Sequence, residues 1–266
     1  MKTQQKQVMK RILGKIFCLT KMFNHQPKFT ILMYHSVNPE HPDSILPAEF
    51  EKQIQFLTSN YQILSVTDFF NFQTNGGGIA ITFDDGYEDN FYYALPILKK
   101  YNCPATFFIC TGFVSKELDI TKNWNCYHGL NPLTFEQIKE MKKAGMSFGC
   151  HTHSHPILTK IQLKEARNEI NKSKTILENI LGEQIDSFTY PFGELNTFNK
   201  SIISILTEAK LKLACTSIYG RNTKKTNQLI LYRIGIDPQD TIDDFTAKVQ
   251  GSWDFLKVYR IFKKRI

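Results

Sequence analysis

From residue 29 onward, this 266-residue chain alternates short apolar runs, rich in β-branched and aromatic residues, with longer segments of helical periodicity. Nothing else in the sequence narrows the fold as far, because strands separated each time by a helix can share a sheet only by running parallel. The strand-like runs are "FTILMY" (29–34), "GIAITF" (78–83), "PATFFIC" (104–110), "MSFGC" (146–150), "SFTY" (187–190), "LKLACT" (211–216) and "LILYRI" (229–234). Helices are expected near 47–59, 90–101, 134–143, 162–181, 196–209 and 241–250. Thr134 with Gln137, and Thr159 with Gln162, fit capping boxes, and Gly145 marks the end of the helix after Thr134. Leu163, Ala166, Ile170, Leu177 and Ile180 give the longest helix an apolar stripe. "NGGG" at 75–78 is a turn rather than a phosphate loop, since no Lys-Ser/Thr follows it. Residues 111–133, with Trp124, Tyr127 and His128, form a connection long enough to overhang a site.

Parallel α/β architectures, whether closed barrels or open sheets, gather ligands beyond the carboxyl ends of their strands. Here those ends run into His35, Asp84-Asp85-Gly86, His151, Pro191-Phe192-Gly193 and Arg233. Adjacent carboxylates at a strand end point in different directions, so one of Asp84 and Asp85 can bind a metal while the other remains a base. The alternative for either is to cap the helix that follows. The stretch "CHTHSHP" (150–156) adds His151, His153 and His155. On a strand all three would share one face, whereas on a turn His151 and His155 would converge and His153 would point elsewhere. Two imidazoles and one carboxylate suit zinc and similar divalent ions and leave coordination positions open, as in catalytic sites. Such an ion polarises a carbonyl and lowers the pKa of water, and a free carboxylate beside it can take the proton.

The formal net charge of +8 leans basic, but the lysines are spread along the chain and no nucleic-acid module is present. Six cysteines, at 18, 103, 110, 126, 150 and 215, form no C-x-x-C pair, and several lie in apolar runs. That pattern suits reduced, buried thiols. No apolar run reaches the roughly 18 residues of a membrane span. Residues 1–26 read as a basic amphipathic helix and 251–266 as a basic amphipathic tail, flanking a single catalytic domain over 27–250. Such ends can lie on an anionic membrane surface or pack on the domain. The expected location is the cytoplasm or the inner face of the membrane, with export left open.

"TFDDG" (82–86), "HTHSH" (151–155) and "YPFG" (190–193), in this order and spacing, resemble the motifs of the polysaccharide deacetylase family of carbohydrate esterases. The likeness spans roughly residues 29 to 250 and implies an irregular (β/α)7-type barrel, an α/β fold that agrees with the element pattern. By position it implies that Asp84 is the general base, that Asp85, His151 and His155 bind one divalent metal ion, and that Thr152 ties the histidine loop together. The ion would be Zn2+, with Co2+, Ni2+ or Mn2+ also tolerated by such a shell. Tyr190, Pro191, Phe192 and Gly193 match the groove wall, where a backbone N–H after the proline helps hold an oxyanion. The reaction implied is removal of N-acetyl groups from an amino-sugar glycan or a lipid-linked saccharide. Because "MSFGC" is expected to end by Cys150 and Pro156 stops further pairing, His151–His155 is then read as a turn that leaves His153 aside.

Two departures from the family pattern stand out. Many members carry an Arg before the proline of the third motif, where this chain reads "FTYPFG", and many supply an acid from a late Leu-x-His, whereas no histidine follows His155 here. "MYHSV" (33–37) resembles the subgroup acting on poly-N-acetylglucosamine-type polymers, whose first strand carries Tyr-His. His35 is accordingly expected to be the acid, and Arg233 to stand beside Asp84 in place of the missing Arg. The alternatives are a catalytically silent carbohydrate-binding relative and a deformylase of a lipid-linked sugar.

Overall fold

A computed structural model describes residues 29–69, 77–123 and 127–254. The two basic ends, 1–28 and 255–266, lie outside the described residues, as do Cys18, Trp124, Cys126 and the first two residues of "NGGG". Seven parallel strands close into a barrel in chain order. They are β1 (Phe29–Tyr34), β2 (Gly78–Phe83), β3 (Thr106–Ile109), β4 (Ser147–Cys150), β5 (Ser187–Thr189), β6 (Leu213–Tyr219) and β7 (Leu231–Gly235). Closure comes from β1 pairing with β7, Leu32 opposite Ile234 and Met33 opposite Gly235. The barrel is irregular: β4 meets β5 only at Cys150 opposite Phe188, and the β6–β7 register slips between Cys215 and Tyr219.

Helices α1 (Pro47–Asn60), α2 (Leu95–Lys100), α3 (Thr111–Val114), α4 (Phe135–Lys143), α5 (Leu163–Leu181) and α6 (Lys200–Glu208) lie on the connections, α7 (Ile242–Gln250) follows β7, and a π-turn (Asn90–Ala94) leads into α2. No helix among the described residues is long and apolar enough to cross a membrane. Thr134 and Gln137 form the expected capping box on α4, and Gly145, at φ 90°, follows its end. Two expectations are corrected. Thr159 does not cap α5, because its hydroxyl donates to the Asn196 carbonyl (2.7 Å); the start of α5 is instead set by the Gln162 N–H donating to Glu165 (3.0 Å). Leu163 is exposed rather than core, since the buried stripe of α5 begins one turn later at Ala166 and continues through Ile170, Ser173 and Leu177.

The two-residue period of the strands divides the apolar residues between two cores. Leu32, Tyr34, Ile81, Phe83, Phe107 and Ile109 pack outward against Phe50, Ile54 and Leu57 of α1 and the other helices. Residues of opposite parity, Phe29, Ile31, Ala80, Phe108, Leu213, Cys215 and Leu231, form a separate cluster that fills the barrel, with Val66 from a 3-10 turn against it. The filling leaves no room at Gly149 of β4, where an added Cβ would lie 2.5 Å from the Phe108 ring and 2.6 Å from Ser187 Oγ. Gly149→Ala is therefore expected to cost about 1–3 kcal/mol by overpacking. A midpoint in urea unchanged from the parent chain would show that the interior is looser than described.

Candidate active site

Above the apolar filling, the barrel interior turns polar. Arg233, 1% exposed, extends from the middle of β7 rather than from its end, a correction to the sequence reading. It crosses the interior to reach three other strands. All five guanidinium N–H groups find acceptors: Nη1 donates to Asp84 Oδ1 (2.7 Å) and Thr82 Oγ1 (3.2 Å), Nη2 to Asp84 Oδ2 (2.7 Å) and Thr189 Oγ1 (2.9 Å), and Nε to the Thr216 carbonyl (2.8 Å). The threonine hydroxyls pass these bonds on, Thr82 to the Leu32 carbonyl (2.7 Å) and Thr189 to the Cys215 carbonyl (3.2 Å). Burial pushes the Asp84 carboxyl up, but the charge and hydrogen bonds of Arg233, helped by His151 and His35, outweigh it and hold the group below its usual range.

Asp85 turns the other way. Its backbone is left-handed (φ 76°) and its side chain is buried, yet neither carboxylate oxygen accepts a hydrogen bond of good geometry. The nearest groups to Oδ1 are His151 Nε2 at 3.3 Å and His155 Nε2 at 3.6 Å, and the two Nε2 atoms are 3.0 Å apart. Ligand atoms at about 2.0–2.1 Å around a tetrahedral ion lie about 3.3–3.4 Å from one another. The three observed separations bracket that value, so Asp85, His151 and His155 fit a divalent ion. His151 is in the right tautomer: its Nδ1 lies 2.9 Å from the Thr189 carbonyl, which can only accept, so the proton sits on Nδ1 and the Nε2 lone pair faces the centre. For His155, burial and then the neighbouring charge of His151 push the imidazole down to about 3, so it too offers a lone pair near neutrality.

The histidine segment is a turn. Thr152 (φ 64°) and His155 (φ 58°) are left-handed, and the His155 N–H donates to Thr152 Oγ1 (3.0 Å). Left-handed backbone is costly for residues other than glycine, on the order of 1–3 kcal/mol each. Asp85, Tyr127, Thr152, His155 and Phe192 are five such residues gathered at one rim. His153 points away from the centre, its Nδ1 3.1 Å from Thr111 Oγ1 and its Nε2 2.7 Å from Lys172 Nζ. The ammonium can only donate, so Nε2 accepts and Nδ1 carries the proton.

The other expected residues divide. His35 stands near enough for its charge to act on Asp84 and Asp85, behind larger contributions from burial and from closer partners. Its carbonyl accepts from Asn90 Nδ2 (3.0 Å), and its ring stacks on Tyr127 at 5.4 Å between centroids. Tyr127 brings the long 111–133 connection to the rim. Phe192 lies against His155 at 4.9 Å and is 45% exposed. Tyr190 is turned inward: it is 1% exposed, donates to the Leu229 carbonyl (2.9 Å) and stacks on Phe198, so of residues 190–193 Phe192 alone is exposed. Gly193 meets β6 so closely that a Cβ there would lie 2.4 Å from the Ser217 nitrogen. Sequence reasoning placed Tyr127 on the overhanging connection but missed Thr82, Thr189 and Asp89; the last accepts from Ser36, Asn38 and Asn90 and so pins the backbone beside His35. None carries a local signal, because each acts through partners distant in the chain.

Removing one member of a buried, fully paired ion pair strands the other, so Arg233→Met is expected to cost about 3–5 kcal/mol in denaturant unfolding. Asp84 titrates lower in the folded chain, so its stabilisation is complete above the ordinary aspartate pKa of about 3.9 and is lost as pH falls toward the folded value. Stability should therefore drop more between pH 7 and pH 3 in the parent chain than in Asp84→Asn. Equal drops would mean that Asp84 is not held ionised.

The pattern of the family Polysaccharide deacetylase matches residues 72–214. A poly-β-1,6-N-acetyl-D-glucosamine N-deacetylase of Staphylococcus aureus is 30% identical over 225 residues, 79% of this chain and 72% of that one. Among solved structures, a deacetylase of Streptococcus pyogenes, PplD, in complex with acetate is 29% identical with a TM-score of 0.72, covering 84% of this chain and 98% of its own. The polysaccharide deacetylase BC0361 of Bacillus cereus is 26% identical with a TM-score of 0.71, covering 84% and 69%.

Proposed function

Since this chain belongs to the polysaccharide deacetylase family, we propose that it hydrolyses N-acetyl groups of a poly-N-acetylglucosamine-type glycan, releasing acetate and leaving free amines on the sugar. The observation that carries this reading is the side-by-side placement of two unlike aspartates: Asp85 facing His151 and His155, and Asp84 clamped by Arg233. Asp85, His151 and His155 would hold one divalent ion, most simply Zn2+ given two imidazoles and a carboxylate. An ion bound there supplies Lewis acidity, polarising the acyl carbonyl and easing deprotonation of water.

The chain's own residues do the rest. Asp84, kept ionised by Arg233, accepts the proton of the attacking water. Phe192, on the left-handed turn after Pro191, lines the acyl side of the groove with its exposed ring, and its backbone amide is the expected oxyanion donor. Collapse of the tetrahedral adduct breaks the C–N bond, and the leaving amine needs a proton. His35 is the group we assign to give it: its charge reaches Asp84, Asp85 and His155, its backbone is fixed by Asn90 and its ring stacks on Tyr127. The substrate class rests on the Staphylococcus aureus relative and on the early "MYHSV" segment.

The test is acetate release from β-1,6-linked N-acetylglucosamine oligomers. Activity should vanish with a chelator and return with Zn2+ or Co2+. Asp84→Asn and His35→Ala should each lower kcat by about 10²–10⁴ while the metal stays bound. Full turnover by His35→Ala would remove its role as acid. Turnover untouched by chelation would remove the metal-dependent reading altogether.

A further inference from the structure

The turn that aims His155 at His151 contains no glycine, yet it holds Thr152 and His155 in left-handed backbone (φ 64° and 58°). A β-branched residue in that region persists only where its surroundings fix it. The Thr152 hydroxyl supplies one internal tie, to the His155 N–H. The rest comes from outside the loop. Glu169, half-buried on α5, accepts from the backbone N–H groups of His153 (2.9 Å) and Ser154 (2.7 Å) through Oε2 and from the Ser154 hydroxyl (2.8 Å) through Oε1. One turn further on, Lys172 donates to His153 Nε2, so two residues on one face of α5 hold the same stretch of loop by its backbone and by a side chain. On the opposite side, the His153 carbonyl accepts from Gly112 N–H (2.8 Å), and a Cβ at Gly112 would lie 2.5 Å from that oxygen.

We propose that Glu169 is a positioning residue for the metal-binding pair, fixing the convergence of His151 and His155 by clamping the amides of His153 and Ser154. It touches neither imidazole at its coordinating atom. Its carboxylate stands where the turn would otherwise present adjacent amides to solvent, and α5 makes a firm anchor because Ala166, Ile170 and Ser173 are buried beneath it. Groups that orient ligands without binding the ion typically change metal affinity by about 10–100-fold when removed. The inference rests on the metal reading of Asp85, His151 and His155.

The experiment is competition for Zn2+ between the apoprotein and a chromophoric chelator, with the absorption spectrum of the Co2+ form as a second readout. Glu169→Ala should bind Zn2+ about 10–100-fold more weakly and give an altered Co2+ band, at a temperature well below its melting point. Glu169→Gln keeps one acceptor oxygen for the two backbone amides, and its NH2 can donate to a reoriented Ser154 hydroxyl, so it should stay near wild type in both. Glu169→Asp keeps the charge on a shorter arm; it should lose affinity, and it replaces the alanine variant if that one fails to fold. Wild-type affinity and an unchanged band in Glu169→Ala, or in Glu169→Asp where alanine does not fold, would overturn the proposal. A loss in Glu169→Gln while Glu169→Asp stays near wild type would overturn it as well, making charge rather than placement the cause. His151→Ala and His155→Ala serve as the separate check: Zn2+ binding unaffected by either would discard the metal reading itself, whatever Glu169 does.

Discussion

The ion pair between Arg233 and Asp84 organises this barrel more than any other contact. A charge taken out of water is tolerable only when its partners replace the lost hydration. Arg233 satisfies that condition with five acceptors drawn from β2, β5, β6 and the segment leaving β2. Thr82, Thr189 and the Thr216 carbonyl are therefore fixed in relation to one another, and the polar floor of the groove inherits their positions. Below this layer Phe29, Ile31, Phe108 and Leu231 exclude water, and the Phe108 ring lies 6.0 Å beneath the guanidinium.

On that floor the two aspartates face different partners despite being chain neighbours. Asp84 continues the inward parity of β2 and meets the guanidinium, while the left-handed Asp85 swings its carboxylate toward the histidine turn. Neither orientation is available to the other residue without breaking the alternation of the strand. The rim around them is built from turns in unfavourable backbone regions, held by a rigid interior and a helical outer layer, which is how strained loops persist at reactive sites.

Much of this was legible in the sequence. The alternation of strands and helices over 29–250, the capping of α4 by Thr134 and Gln137, and the positions of Asp84, Asp85, His151 and His155 follow from local patterns and a short motif. What escaped was set by tertiary partners. Tyr190 sits in the groove-wall motif but turns inward because the Leu229 carbonyl and the Phe198 ring are there. Thr159 looks like a cap until the Asn196 carbonyl takes its hydroxyl. Glu169 lies on a polar helix face with nothing nearby in sequence to set it apart. The left-handed backbone of Thr152, His155 and Phe192 is unmarked by glycine, so no residue type announced it.

The placement of Arg233 also bears on how such chains are compared. The residue column before Pro191, where many members carry an arginine, holds Tyr190 here, and a column-by-column reading would score a lost part. In three dimensions a guanidinium is nonetheless at the carboxylate, delivered from a strand some forty positions later in the chain. A point in the interior of a closed barrel can be reached by side chains from more than one strand, as Arg233 of β7 reaches the carboxylate that follows β2. Motif letters alone would therefore overlook the guanidinium that this chain does place beside Asp84.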